Sequence, residues 1–234
     1  MTLGQRLVLA VDRRTDLFGR IETRRADRYE HMFPLREWVR GTKRILDVGI
    51  GAGDLTRRLC DYTTGQVVGL DVCDLRRKEN LADAPFEFVL GDARSLPFPS
   101  ESFDCVTLIV MLHHVDDPAQ ALREATRVLQ PGGRLIIVED LIDERRTLRS
   151  LFTLIHDSVV NLEFFDHPHT NRSLSDWHIL IRSSFAVQTV ELRRIVRKTV
   201  FGSLHYGVLR YEKTPIRTVR EGEFELVAEP EAVS

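Results

Sequence analysis

The chain has 234 residues, 43% of them hydrophobic, and a formal net charge of −2, which suits one globular domain and gives no general electrostatic reason to expect nucleic-acid binding. It contains no apolar run close to the roughly 20 residues that cross a bilayer, no basic and apolar leader, and no Cys-x-x-Cys pair among its three cysteines. These features predict a cytoplasmic protein without a membrane span, whose cysteines are small core residues.

Residues 1–43 indicate a helical segment ahead of the main fold. Its arginines are interleaved with acids, as in the run Arg24-Arg25-Ala26-Asp27-Arg28. Mixed charge at this spacing is typical of a solvated helix face that carries ion pairs. We therefore expect no nucleic-acid partner from this segment.

A glycine-rich turn follows the first predicted strand, residues 45–48. Gly49, Gly51 and Gly53 alternate with other residues, Asp54 comes next, and Asp47 lies just before the turn. Glycines permit the positive φ values of a tight turn and let a ligand lie against bare main chain. A dinucleotide fingerprint has the spacing Gly-x-Gly-x-x-Gly and holds pyrophosphate at a helix N-terminus, where Asp54 would repel a phosphate. The turn instead suits a ligand with cationic groups and no phosphate, such as S-adenosylmethionine.

Strand and helix patterns then alternate, as in the strand-helix units of a parallel sheet. The predicted strands cover residues 45–48, 66–71, 86–90, 103–111 and 134–139, and the first predicted helix covers 54–62. A second helix is expected after Asp117, which can cap it. Pro118 suits its first position, Gln120 can close a capping box, and Pro131-Gly132-Gly133 is expected to end it.

The pattern changes after residue 140. Helices are predicted over 148–165 and 174–185, separated by a break at 166–169, and two β-rich segments over 187–196 and 203–211 form a hairpin around Gly202. We expect a single α/β domain with a Rossmann-like, doubly wound, mostly parallel sheet of seven strands, an antiparallel last strand and a helical lid insertion. Its parts are the N-terminal segment (1–43), the cofactor-binding half (44–140), the lid (141–186), the closing hairpin (187–211) and the tail (212–234).

Several short motifs occur in the order found in one enzyme family. They are Leu46-Asp47-Val48-Gly49-Ile50-Gly51-Ala52-Gly53, Val68-Gly69-Leu70-Asp71, Gly91-Asp92-Ala93 with Leu96-Pro97-Phe98, Phe103-Asp104, Leu112-His113-His114-Val115 and Leu129-Gln130-Pro131-Gly132-Gly133-Arg134-Leu135. The chain thus resembles the class I S-adenosylmethionine-dependent methyltransferases, and within them the ubiquinone and menaquinone biosynthesis branch (methyltransferase type 11). The resemblance covers approximately residues 29–211.

The resemblance implies a set of cofactor contacts along the chain. They are Tyr29, Asp47, Gly49, Gly51, Gly53, Asp71, Val72, Asp92 and Ala93. Asp71 would accept hydrogen bonds from both ribose hydroxyls, as acidic residues do in dinucleotide folds. By resemblance, Asp92 and the Ala93 amide would meet the adenine, Asp47 would act on the methionine end mainly through its charge, and Tyr29 would cover that end, although a core or surface tyrosine is an equal alternative.

Methyl transfer is an in-line displacement in which alignment and exclusion of water matter most, so a dedicated base is optional. His113 and His114 follow the fourth strand at the edge where ligands bind in open α/β folds. A histidine has a suitable pKa for deprotonating a phenol or an activated carbon acid. The pair has either this catalytic role or a structural role in orienting the loop.

The inserted region carries the candidate substrate pocket. By resemblance, His156, His167, His169 and Trp177 would contribute polar and aromatic walls, with core packing or helix capping as the alternatives. Their spacing matches no compact metal-binding pair, and the metal-dependent branch of the family has acidic residues where His113 stands. We therefore expect no metal.

The leading functional hypothesis is methyl transfer to a small-molecule acceptor with an O-, C- or N-nucleophile, aromatic or prenylated. A cofactor-binding enzyme that catalyses cyclisation or decarboxylation, a non-catalytic partner subunit and an NAD-dependent dehydrogenase are the alternatives. Methyltransferases that act on nucleic acids or on protein amides carry a characteristic loop after the fourth strand. This chain has Leu112-His113-His114-Val115 at that position, which argues against nucleic-acid methylation. Monomer and homodimer are both compatible with the sequence.

Overall fold

A computed structural model describes residues 17–76, 80–81, 83–142, 170–199 and 202–214. Its centre is a sheet of seven strands in the order β3-β2-β1-β4-β5-β7-β6. The strands are β1 (Arg44–Val48), β2 (Gln66–Asp71), β3 (Glu87–Leu90), β4 (Phe103–Ile109), β5 (Leu129–Asp140), β6 (Val187–Thr199) and β7 (Gly202–Lys213). The helices are α1 (Leu17–Met32), α2 (Leu35–Trp38), α3 (Asp54–Tyr62), α4 (Pro118–Val128) and α5 (Leu174–Ser184).

The sheet has the predicted doubly wound topology. Strands β1 to β5 pair in parallel, and β7 runs antiparallel to both β5 and β6. The strand order reverses between β1 and β4, and open α/β sheets bind ligands outside the carboxyl ends of the strands at such a point. The α/β fold class with an antiparallel last strand is confirmed. In the described part of the chain, no helix is long and apolar enough to cross a membrane.

Both faces of the sheet are covered, which explains the almost continuous apolar character of the central strands. Helices α4 and α5 cover one face, where Val106, Leu122 and Trp177 belong to one buried cluster. The segment around α1 and α2 covers the other face, where Tyr29, Phe33 and Ile45 belong to a second cluster. The two layers hold the carboxyl edge of the sheet in a fixed shape.

The strand β1 that leads into the glycine turn is held at its start by a residue of β4. Asp104 accepts hydrogen bonds from the backbone amides of Lys43 and Arg44, at 2.7 and 2.9 Å. This contact gives the Phe103-Asp104 motif a structural role, because it fixes the register of β1 against β4.

The end of α4 differs from the prediction. The helix stops at Val128, and β5 begins at Leu129 rather than at residue 134. Leu129 pairs with Phe103, and the register then shifts so that Arg134 pairs with Cys105. Pro131-Gly132-Gly133 therefore lies in a bulge of the strand, with Gly132 at a φ of 74°, because pairing with β4 overrides the local stop signal.

Asp117 caps α4 as predicted, by accepting a hydrogen bond from the Gln120 amide at 2.9 Å. The proposed capping box is wrong. The Gln120 side chain donates to the carbonyl of Arg94 at 3.0 Å and accepts from Arg123 at 2.7 Å. It thereby ties α4 to the loop after β3.

The predicted fourth strand ends two residues early, at Ile109, and a 3₁₀ turn follows over Leu112–His114. Val110 has a φ of 54°, which is rare for a β-branched residue and strained. The hairpin around Gly202 is confirmed, and α5 matches the predicted 174–185 helix to within one residue. The predicted helix over 148–165 and the break at 166–169 lie outside the described residues.

Candidate functional site

The glycine turn after β1 is a tight turn whose amides are largely used within the protein. Gly49, Gly51 and Gly53 have φ values of 78°, 53° and 80°. The amides of Gly49 and Ile50 donate to the carbonyl of Leu70, at 2.7 and 3.3 Å, and that of Gly53 donates to the carbonyl of Ile50 at 2.9 Å. Little donor capacity therefore remains for a phosphate, in contrast to a dinucleotide-binding turn.

Gly49 faces the turn that follows β4. A Cβ atom at Gly49 would lie 2.7 Å from Cβ of Met111, closer than two carbons can approach. Only glycine therefore fits between the positive φ and this neighbour. The contact joins the glycine turn to the Leu112–His114 turn, so the two loops at the switch point of the sheet form one surface.

Asp71 lies at the carboxyl end of β2, beside the glycine turn. Its Oδ2 accepts the Gly51 amide at 2.9 Å, and its Oδ1 accepts the Cys73 amide at 3.2 Å. Burial raises the pKa of Asp71, and these amide bonds oppose the rise. The Val72 amide and, weakly at 3.7 Å to Oδ1, the Cys73 thiol also bond to this carboxylate. A carboxylate has about four lone-pair sites, so a ribose hydroxyl would bind by displacing the weak thiol contact or by sharing an oxygen.

The residues after Asp71 provide an apolar surface. Val72 is 63% exposed and follows the half-buried Asp71. The predicted contact residue thus lies open to a ligand, next to Asp71. An adenine ring is a suitable partner for such a surface because its face is apolar.

Asp92 follows β3, where the sequence predicts an adenine contact, and Arg94 holds its carboxylate. The Arg94 guanidinium donates to both oxygens, with its shortest bond at 2.7 Å to Oδ2, and this pairing lowers the pKa of Asp92. Ala93 is buried beside it. A ligand amino group would share the carboxylate with Arg94, and Arg94 was missed as a member of this site.

Asp47 lies beneath the glycine turn and is not exposed on the ligand side. It is 3% exposed and accepts the hydroxyls of Thr56 and Thr107, at 2.7 and 2.6 Å. Burial raises the pKa of Asp47 to about 6, although both hydroxyls oppose the rise. This position agrees with an electrostatic rather than a direct role.

Two further residues, Asn80 and Thr23, hold the start of α3. Asn80, fully buried, donates to the carbonyl of Ala52 at 2.7 Å and to Asp54 at 3.1 Å, and accepts from Arg57 at 2.8 Å. The hydroxyl of Thr23 on α1 donates to Asp54 at 2.9 Å. Asp54 thus anchors the turn to α1. Sequence reasoning missed Asn80 because its partners lie 23 to 28 residues away in the chain.

Tyr29 lies on α1 and is 6% exposed. Its ring packs edge-on against Tyr206, with 6.2 Å between centroids, and Tyr206 pairs with Asp140 at the end of β5. Tyr29 is therefore part of the core next to the carboxyl edge. Its role towards the cofactor stays a prediction.

His113 is fully buried in the turn after β4 and is held by Glu139 of β5. Its Nδ1 lies 2.5 Å from Oε2 of Glu139, and Oε1 accepts the amides of Met111 and Leu112, at 3.0 and 2.7 Å. Both side chains are 0% exposed. This arrangement favours the structural role for His113. The acids Glu139 and Asp140, which end the apolar run of β5, are the sequence signal that could have identified Glu139, since buried carboxylates need partners.

The other predicted residues are less closely associated with the cofactor edge. His114 is half-buried, with its ring centroid 4.0 Å from that of His113. Trp177 lies on α5 and is fully buried in the core cluster. His156, His167 and His169 lie outside the described residues. Within the described residues, no group of three or more His, Cys, Asp or Glu residues could hold a metal ion.

Comparison with known proteins agrees with this geometry. Residues 46–137 match the family described as "Methyltransferase domain". This segment therefore resembles methyltransferase domains. A curated relative, the ubiquinone/menaquinone biosynthesis C-methyltransferase UbiE of Pseudomonas fluorescens, is 43% identical over 110 residues, which are 43% of each chain. The chain thus spans less than half the length of the curated relatives it matches.

Solved structures show the same fold outside the matched segment as well. An S-adenosylmethionine-dependent methyltransferase from Methanosarcina mazei has a TM-score of 0.61 at 21% identity, over 77% of this chain and 97% of that one. The 4+2 cyclase SpnF has a TM-score of 0.59 at 19% identity, over 82% of this chain and 80% of its own. The shared fold therefore extends beyond the matched segment.

The raised pKa of Asp47 predicts a pH effect on stability. The pKa of about 6 in the folded state exceeds the ordinary value of 3.8. The contribution of Asp47 to the free energy of unfolding is therefore fully present below about pH 4 and is lost as the pH rises to about 6. Relative to wild type, Asp47→Asn should gain roughly 2–4 kcal/mol of unfolding free energy across this window. Urea denaturation from pH 4 to 8 measures the change. The exposed Asp116→Asn variant controls for net charge, and parallel wild-type and Asp47→Asn curves would contradict the prediction.

The buried hydrogen bonds of Glu139 at the turn after β4 lead us to expect a loss of stability when its charge is removed. Glu139→Gln keeps the shape of the side chain but loses charge-assisted bonds to His113 and two amides, so the free energy of unfolding should fall by about 1.5–3 kcal/mol. Urea denaturation at pH 7 measures it. Glu191→Gln, which weakens the partly exposed pairs with Arg193 and Arg210, should cost at most about 1 kcal/mol. Equal losses in the two variants would refute the role of Glu139.

Proposed function

We propose that the protein transfers a methyl group from S-adenosylmethionine to a small-molecule acceptor. The observation that carries the proposal is Asp71, whose half-buried carboxylate accepts the Gly51 amide beside a turn that tolerates no side chain at Gly49. This arrangement suits a ribose diol lying against bare main chain. The match of residues 46–137 to methyltransferase domains supports the same ligand.

The local electrostatics favour a cation over a phosphate. Asp47, Asp54 and Asp71 surround the glycine turn, and the amides of Gly49, Ile50 and Gly53 are bonded to backbone carbonyls. A pyrophosphate would meet acidic side chains and few free donors. The sulfonium and ammonium groups of S-adenosylmethionine meet favourable charge, which weighs against the dehydrogenase alternative.

The roles of the residues follow from their positions. Asp71 would orient the ribose, Val72 would pack on the adenine, and Asp92 with Arg94 would close the adenine end. S-adenosylmethionine supplies an electrophilic methyl group when bound, so the protein has mainly to align the acceptor and exclude water. Glu139 and His113 hold the turn after β4 in place. Of the two histidines, His114 is the better candidate for contact with an acceptor, because it is half-buried whereas His113 is fully buried.

The chemical class of the methyl acceptor is a further part of the proposal. By name, the matched relatives are C-methyltransferases of ubiquinone and menaquinone biosynthesis, and the match covers 43% of this chain. We propose an aromatic or prenylated acceptor in a biosynthetic pathway. We also propose a cytoplasmic location and a single domain, whose parts meet at residues 43, 140, 186 and 211. The protein would act as a monomer or homodimer without a nucleic-acid partner.

Cofactor binding tests the site assignment. Asp71→Asn leaves one acceptor oxygen and introduces a donor towards the ribose, so we expect S-adenosylmethionine affinity to fall at least about tenfold, which corresponds to about 1.4 kcal/mol. Isothermal titration calorimetry measures it. Asp74→Asn, which weakens a pair with Arg76 on the same loop, and His114→Ala should both keep wild-type affinity. Normal binding by Asp71→Asn would remove the basis of the assignment.

Product analysis tests the reaction itself. Incubation with S-adenosylmethionine and a panel of phenols, quinols and prenylated aromatics should yield a product heavier by about 14 daltons together with S-adenosylhomocysteine. Mass spectrometry follows both. Conversion of an acceptor without consumption of the cofactor would instead support a non-methylating reaction, and cofactor binding without any turnover on the panel would support a non-catalytic subunit.

A further inference from the structure

The carboxyl edge of the sheet has a second polar corner, at the opposite end from the predicted adenine contacts. Asp140 ends β5 and pairs with Tyr206 of β7. The Tyr206 ring packs edge-on against Tyr29 and Phe33 of α1, with 6.2 and 6.0 Å between centroids. These residues define the α1–β7 corner, which lies beyond the turn after β4.

A cation from β6 reaches this corner. Ile195 pairs with Tyr206, and Arg197 pairs with Leu204 two residues away. Alternate residues of a strand share a face, so Arg197 lies on the same face as Ile195, which packs on the α1 side of the core. From this diagonal position Arg197 donates a hydrogen bond to the Tyr206 hydroxyl. Arg197 is half-buried, so its side chain meets both the corner and solvent.

Helix α1 supplies a second cation to the corner. Its acids Asp27 and Glu30 both pair with Arg58 of α3. The helical period of 3.6 residues turns Arg28 away from that side, and Arg28 directly precedes Tyr29, which packs on the corner. Arg28 is half-buried. The helix thus presents acids to α3 and an arginine to the α1–β7 corner.

The electrostatics of the corner favour a monoanion. Burial raises the pKa of Tyr206 and Asp140 adds to the rise, whereas Arg28 and Arg197 oppose it. Two cations and one anion therefore act on the same hydroxyl and leave one positive charge in excess. A carboxylate carries one negative charge and can accept two parallel hydrogen bonds from a guanidinium, whereas a phosphate monoester carries close to two charges. The corner is suited to a carboxylate.

The cofactor does not extend to this corner. The sheet order places β7 three strands from β1, where the glycine turn lies, and neighbouring strands are about 4.8 Å apart, so Tyr206 lies roughly 14 Å across the edge from that turn. With its ribose on Asp71 of β2, S-adenosylmethionine would end its short methionine chain near the glycine turn. A ligand at the corner is therefore the other substrate, the methyl acceptor.

We propose that Arg28 and Arg197 bind a carboxylate of the methyl acceptor, with the Tyr206 hydroxyl as a neighbouring polar contact. Both arginines reach solvent, so an anion can meet them without a rearrangement of the fold. The reacting atom of the acceptor would then lie between this corner and the glycine turn, beside the turn that carries His114. The inference rests on the proposed function and adds the charge of the acceptor.

The test uses 2-naphthoate and 2-naphthamide, which have nearly the same shape and differ in charge. In the presence of S-adenosylhomocysteine, calorimetry on the full chain should show at least about tenfold tighter binding of 2-naphthoate, because charge-assisted bonds are the stronger ones. Arg28→Gln combined with Arg197→Gln should reduce the preference to about twofold or less. Arg24→Gln combined with Lys198→Gln removes the same charge from exposed positions on the same two elements and should keep the preference.

Each single variant, Arg28→Gln or Arg197→Gln, should lower the preference about threefold, which keeps the test decisive if the double variant does not fold. A preference that survives in all three variants would overturn the inference. So would a wild-type protein that binds the cofactor but does not prefer 2-naphthoate.

The affinity for S-adenosylhomocysteine separates this site from the cofactor site. That molecule carries the same methionine carboxylate as the cofactor, so the Arg28→Gln and Arg197→Gln variants should bind it as the wild type does. A loss of about threefold or more would assign the arginines to the cofactor and overturn the inference. Wild-type protein that fails to bind S-adenosylmethionine would instead overturn the proposed function.

Discussion

The carboxylate of Glu139 holds the chain at the point where β4 leaves the sheet. It accepts two backbone amides and faces His113, in a place from which water is excluded. These bonds keep the strained Val110 in position and place Met111 against Gly49. The width of the switch point, and with it the surface that a ligand meets, therefore depends on one buried acid that does not itself reach the ligand.

The acids around the glycine turn have different roles because their surroundings differ. Asp47 is buried beneath the glycine turn, where its carboxylate accepts two threonine hydroxyls. Asp71 is half-buried, and its oxygens accept loop amides, with the Cys73 thiol as a further weak donor. Asp54 anchors α3 to α1 through Thr23 and Asn80. The glycine turn is thus bordered by three acids, each held in place by a different set of contacts.

The sequence was sufficient for the parts of the fold that local patterns determine. The bounds of α3 and β2 were predicted to the residue, because an apolar run next to glycines leaves few alternatives. The end of α4 was not, because strand pairing at Leu129 outweighs the Pro-Gly-Gly signal. Asn80 and Glu139 were missed for a related reason, since their partners lie more than 20 residues away. Contacts that join distant segments depend on the assembled fold.

The central claim is that Asp71 binds the ribose of S-adenosylmethionine at the carboxyl edge of the sheet. A crystal structure of the full chain with S-adenosylhomocysteine tests it most directly. The account predicts both ribose hydroxyls within about 2.7–3.2 Å of the Asp71 oxygens, with the Gly51 amide still bonded to Oδ2 and the adenine against Val72. A ligand bound elsewhere, or a ribose turned away from Asp71, would contradict it.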